Sequence, residues 1–196
     1  MNNLFLKVSI LSASILVIIA LIIYFKIDEV SKKNDLKFDT PFNLTSHKGE
    51  KVSEKILSSR PTIVFFGFTH CPEVCPTTLY EISSWIDEIK LSKEEIQVLF
   101  ISLDPKRDTV QKLEEYLSNF NETFKGLTGD ENEILKLANS WGIYRKIVFT
   151  EDDYTIDHTS TIFLINQNFY LKGTIAYREH SDVAIAKIKN LIQENQ

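Results

Sequence analysis

The sequence predicts an α/β domain built on one central sheet, carried behind an N-terminal transmembrane helix. Three observations support this. Two near-continuous apolar runs, residues 62–68 (TIVFFGF) and 96–103 (IQVLFISL), bracket a segment with helical periodicity. Later segments alternate between helical and strand-like patterns, and the first 25 residues carry a single charged side chain, Lys7.

Residues 8–25 contain no charge and only Ser9, Ser12 and Ser14 as polar residues. As a helix they would extend ~27 Å, close to the ~30 Å of a hydrocarbon core. A cleaved signal peptide normally has a shorter apolar region followed by small residues. Here Tyr24-Phe25-Lys26 follows instead, which reads as an interfacial anchor. The polar flanks argue against a buried core helix. The expected organisation is a short tail at 1–7, a transmembrane anchor at 8–25, a charged tether at 26–37 and the folded domain at 38–196. Lys26, Lys32, Lys33 and Lys37 follow the span and only Lys7 precedes it, a count that leans toward a cytoplasmic domain. No arginine precedes Arg60, so an Arg-rich transit peptide is absent and a bacterial membrane is favoured.

Within the domain, residues 38–44 read as extended, Gly49 as a turn, and residues 52–58 as one helical turn with Ile56 and Leu57 inward. Residues 62–68 form a strand buried on both faces. Leu79, Ile82, Trp85, Ile86 and Ile89 then recur at helical spacing, and 96–103 is a second buried strand. Together they make a βαβ unit with a right-handed crossover. Asp104-Pro105 ends it. Asp108, with Gln111 three residues on, caps a helix striped by Val110, Leu113, Tyr116 and Leu117. Asp130 with Glu133 starts another, carrying Ile134, Leu135, Leu137, Ala138 and Trp141 and ended by Gly142. Next come a strand at 143–150, a turn at Glu151-Asp152-Asp153, strands at 161–165 and 170–176, and a closing helix from Ser181. A βαβ half and a ββα half on one sheet is the thioredoxin-like plan. It brings the end of the first buried strand near the start of the strand at Thr161.

Composition fits one globular core: 43% of residues are hydrophobic and 25% charged. Beyond the first 25 residues, 21 basic residues face 27 acidic ones, which argues against nucleic acid as the partner.

The only cysteines, Cys71 and Cys75, lie where the first buried strand meets its helix. Pro72 and Pro76 disfavour helical geometry at the residues before them, so both cysteines are expected in a loop with Cys75 as helix cap. A thiol at a helix N-terminus has its thiolate stabilised, which predicts a lowered pKa at Cys75. Three intervening residues are one more than dithiol oxidoreductases usually show. A disulfide remains open in a loop, while a metal bridging two thiolates tolerates the wider gap. Two buried, inert thiols are the plain alternative. A soft metal needs a third donor, from His47, His70, His158 or His180. His47 and His180 sit in polar connections, and His70 points away from Cys71. His158 precedes the strand at Thr161, which the plan places opposite the cysteine loop.

The segments FTHCPEVCPTTL, LDPKRDT and YTIDHTSTIFLI, in this order behind an N-terminal anchor, resemble the Sco/SenC copper-chaperone family involved in cytochrome oxidase assembly. The likeness runs over residues 42–191. It implies a thioredoxin-like domain tethered to the bacterial inner membrane by a single pass and facing the periplasm, which outweighs the lysine count. It also implies copper held by Cys71, Cys75 and His158, taken from a copper donor and passed to the copper-containing subunit of cytochrome c oxidase. Cu(I) is favoured by the soft thiolates, with Cu(II) as the alternative. Glu73 stands where the family often has aspartate. Asp104 belongs either to a partner-docking or redox surface or to a plain strand-end turn. The competing function is a thiol:disulfide oxidoreductase using the same sulfurs. Pro76-Thr77-Thr78 is similar to a peroxidase element, but no cysteine follows it. Structural zinc lacks a fourth ligand.

Overall fold

The computed structural model describes residues 13, 15–25 and 36–193. The chain divides into two compact units, Met1–Leu36 and Lys37–Gln196. In the first, residues 15–25 are helical (α1) and expose their apolar side chains, Leu16 and Ile22 among them. Residues 8–12 and 14 of the expected span at 8–25 lie outside the described residues. Among those described, no helix is long and apolar enough to cross a membrane.

The second unit is built on a seven-stranded sheet of order β2-β1-β5-β4-β3-β8-β9. At its centre, β3 (Thr62–Gly67) and β4 (Gln97–Ser102) run parallel, and every residue in both is buried. Successive side chains alternate between faces, so Ile63 and Phe65 enter one core and Val64 and Phe66 the other. On the first face pack α2 (Val74–Glu88), α3 (Val110–Leu117) and α5 (Ser181–Gln193). On the second pack α4 (Glu131–Ser140) and the short 3-10 turn Glu54–Ser58. Burying each large side chain in these layers contributes about 1.5–3 kcal/mol. Most residues of the apolar stripes read from the sequence face inward, but Leu135 on α4 is only partly buried and Val183 on α5 is exposed. The closing hairpin β8 (Ile162–Ile165) and β9 (Leu171–Ile175) adds antiparallel strands beside β3.

Several elements depart from the sequence reading. β5 (Phe124–Thr128) lies parallel to β4 and is paired on its other side by β1 (Asn43–Ser46), itself paired to β2 (Lys51–Ser53). Lys125 and Gly126 hide this strand in the sequence. A Cβ on this glycine would lie 2.6 Å from Leu117 Cδ1, so a larger residue would force the Leu117 side chain to shift. A second, two-stranded sheet forms from β6 (Arg145–Phe149) and β7 (Tyr154–His158), where the sequence reading had one strand and a turn. Asp108 does not cap α3. Thr109 does, its side chain accepting the Lys112 N–H, and Asp108 is buried instead. Asp130 caps α4 as expected, accepting from Asn132 and Glu133.

Register decides where loops meet. Gly67 pairs with Ser102, and Leu103 N–H donates to the Gly67 carbonyl at 2.7 Å, so β3 and β4 end side by side. Ile162, the first residue of β8, pairs with Phe65 near that same end. Three chain segments, 68–73, 103–109 and 158–161, therefore emerge together at one edge of the sheet.

Candidate functional site

Cys71 lies in the first of these segments, half-buried, and Cys75 is fully buried on α2. The helix begins at Val74 with Glu73 as its cap, so Cys75 belongs to the first turn and only Cys71 to the loop. Pro76 is compatible with this because the first-turn N–H groups have no intrahelical partner to lose.

This placement reverses the expected acidities. Cys71 Sγ accepts the Cys75 N–H at 3.4 Å. The Cys75 thiol, and after it the backbone N–H groups of Cys75, Glu73 and Val74, stabilise the Cys71 thiolate and pull its pKa down to about 5. Cys75 moves up, because its proton is shared with the Cys71 sulfur and burial penalises a second negative charge. The helix N-terminus thus acts on the loop cysteine that faces its amides, and not on the cysteine within the turn.

His158 ends β7, and its Nε2 lies 3.6 Å from Cys75 Sγ. Its Nδ1 donates to the Thr159 carbonyl at 2.8 Å, an atom that can only accept. In the neutral ring this leaves the Nε2 lone pair facing the sulfur. Phe65 and Phe68 flank the imidazole edge-on at 6.2 and 5.8 Å. Burial pushes its pKa below the ordinary imidazole value and so favours the neutral form. The other histidines stand apart. His70 is exposed and its Nδ1 is 3.1 Å from the Thr69 hydroxyl, His47 accepts the Gly126 N–H at 3.0 Å on β5, and His180 is exposed before α5. Fold and register thus unite Cys75 with His158 across 83 positions. The Cys71 sulfur is turned onto the Cys75 amide. Among the described residues no group of three or more His, Cys, Asp or Glu side chains is already gathered as a metal cage.

A profile of the SCO1/SenC family matches residues 30–193. The chain belongs to the SCO1/SenC family. Among SCO1/SenC relatives, protein SCO1 homolog 1, mitochondrial, of Arabidopsis thaliana is 42% identical over 64% of this chain and 38% of its own length. The SCO2-like protein RP587 of Rickettsia prowazekii is 32% identical over 82% of this chain and 78% of its own. The crystal structure of Arabidopsis thaliana ScoI with copper bound superposes with a TM-score of 0.74 at 34% identity, covering 80% of this chain and 99% of that one. The match thus spans well under half of the first relative's length.

Sequence reasoning missed the groups around this candidate site. Asp108 is fully buried and accepts from the Thr69 hydroxyl at 2.6 Å, the Thr69 N–H at 3.1 Å and the Ser102 hydroxyl at 2.6 Å. Arg107 packs its guanidinium 3.7 Å from the centre of the Tyr154 ring. The LDPKRDT segment is visible as a motif, but the sequence reads Asp108 as a cap and leaves Asp104 open between a docking or redox surface and a plain turn, because burial is not encoded locally.

Proposed function

We infer that this protein is a membrane-anchored copper metallochaperone. It takes copper from a donor and delivers it to the copper-containing subunit of cytochrome c oxidase during assembly. The oxidase assignment follows the family's association with cytochrome c oxidase assembly. The observation that carries the copper reading is the approach of His158 Nε2 to Cys75 Sγ at 3.6 Å, with Nδ1 tied to a carbonyl, next to a second cysteine. Two thiolates and one neutral imidazole suit Cu(I), which prefers soft donors and accepts low coordination. The copper bound in the related Arabidopsis structure supports the choice of metal.

In this reading Cys71, Cys75 and His158 hold the ion as cargo. Cys71 already favours the thiolate and His158 the neutral ring, so loading displaces the Cys75 proton. The half-buried Cys71 side chain rotates off the Cys75 amide to reach the ion. Joining the sulfurs as a disulfide removes two donors at once, which couples loading to redox poise. Residues 8–25 anchor the chain in a bacterial inner membrane with the domain in the periplasm. The apolar run in the sequence supports this, as do the exposed apolar side chains of α1.

A second reading, thiol:disulfide oxidoreductase, is favoured by the unequal cysteines: an acidic, half-buried Cys71 suits attack and a buried Cys75 suits resolution. Cu(I) titration of the reduced protein in competition with a chromophoric chelator separates the two. Chaperone function predicts tight binding at one equivalent, clearly weakened in His158→Ala, which removes a donor outright. Binding no tighter than in a Cys71→Ser/Cys75→Ser variant, with catalytic reduction of protein disulfides, favours the oxidoreductase.

A further inference from the structure

His158 stands on a hairpin that is not hydrogen-bonded into the seven-stranded sheet, since β6 and β7 pair only with each other among the described strands. Ile156 roots the hairpin in the core. Ile147 and Tyr154, partly buried, pack against the same core, and the hairpin's polar fixation comes largely from loop 103–108. Arg107, stacked on Tyr154, donates through Nη1 to Asp153 Oδ2 at 2.9 Å and to the Tyr154 carbonyl at 3.0 Å. The Tyr154 hydroxyl donates to Asp104 Oδ1 at 2.8 Å. Arg145, opposite His158 in the register, donates through Nε to the Leu103 carbonyl at 2.8 Å. Tyr154, Ile156 and His158 alternate along β7 and share its inner side. Holding Tyr154 therefore helps hold the imidazole two side-chain repeats further along the same strand.

The other end of the same loop grips the cysteines. Asp108 binds the hydroxyl and amide of Thr69, two residues before Cys71, and is itself anchored by Ser102. Asp104 and Asp108 are 1% and 0% exposed. Carboxylates are rarely buried so completely unless their partners hold them there, and a plain strand-end turn would leave them in water.

The geometry points to loop 103–108 as a bracket that sets the separation between the cysteine sulfurs and the imidazole. Arg107 acts as positioning residue for His158, and Asp108 for the cysteine loop. The inference rests on the copper reading for its binding consequence, but the bracket itself is a property of the copper-free protein.

The test uses the full-length, reduced chain with Cu(I) as probe, competed by a chromophoric chelator. Arg107→Ala should weaken binding, though by less than His158→Ala, because the imidazole is kept and only its placement is loosened. It should add little to His158→Ala in the double variant, because both remove the same donor. Arg107→Lys, which keeps the charge but not the fork or the stacking, should recover part of the loss. Asp108→Asn should weaken binding additively with His158→Ala, since it acts through the cysteines. Lys106→Ala, whose ammonium pairs outward with Glu131 at 2.8 Å, should bind as wild type. In the copper-free protein, amide hydrogen exchange across β6 and β7 should quicken in Arg107→Ala and not in Lys106→Ala. Unchanged exchange there overturns the bracket whether or not copper binds. So does full additivity of Arg107→Ala with His158→Ala. A wild type that takes up no Cu(I) overturns the copper reading alone, and the exchange comparison still decides the bracket.

Discussion

Iodoacetamide is expected to modify Cys71 of the reduced, copper-free protein well before Cys75, with a rate that titrates at about 5 instead of at the usual thiol value. The cause is local. The Cys75 thiol and three successive N–H groups of the helix start converge on the Cys71 sulfur, while Cys75 is sealed in the core beside a charge of the same sign. Peptide mapping after partial alkylation should find the label at Cys71, and equal labelling would contradict the geometry. The sign of the linked stability effect is fixed as well. A folded-state pKa depressed from 9.0 to about 5 contributes stability that is fully present above pH 9.0 and is lost as pH falls through about 5. Cys71→Ser should remove that part of the pH dependence of unfolding. Because Cys71 is half exposed, solvent screens the interaction and the effect on unfolding will be smaller than the shift alone suggests.

Gly67→Ala is expected to damage both stability and metal binding. A Cβ at this position would lie 2.7 Å from Phe100 Cε2, 3.0 Å from Cys75 Sγ and 3.1 Å from Phe65 Cε1. All three side chains are fully buried, so none can swing into solvent to make room. Overpacking of this kind costs about 1–3 kcal/mol, which a urea-unfolding midpoint would register. The displaced group includes the sulfur that faces His158, so Cu(I) affinity should fall as well. An unfolding midpoint and an affinity both equal to wild type would show that the sulfur is not seated against Gly67.

The βαβ core was legible because residues 62–68 and 96–103 are apolar nearly throughout and the helix between them has an unbroken stripe. β5 was not, because its centre is a lysine beside a glycine that Leu117 closes over. β7 carried a signal that was passed over: YTIDH alternates, with Tyr154, Ile156 and His158 to one side and Thr155 and Asp157 to the other. Reading it as a strand would have placed His158 at a strand end, aimed by the pleat, instead of in a connection. The prolines misled on the helix start. A proline after Cys75 argues for a cap at that cysteine, but the first turn needs no N–H from residue 76 and has no helical carbonyl four residues earlier for the ring to strike. That shift of two residues exchanged the roles of the two thiols. Asp108 looked like a cap because Asp before an apolar stripe usually is one. Only the parallel ends of β3 and β4 bring Thr69 and Ser102 to its carboxylate.

The most direct test of the copper site is X-ray absorption of the Cu(I)-loaded, reduced protein and of its His158→Ala variant. The account predicts a copper shell of two sulfurs and one imidazole nitrogen in the wild type, with the nitrogen lost and both sulfurs kept in the variant. A wild-type spectrum without a nitrogen scatterer, or one left unchanged by His158→Ala, would contradict it.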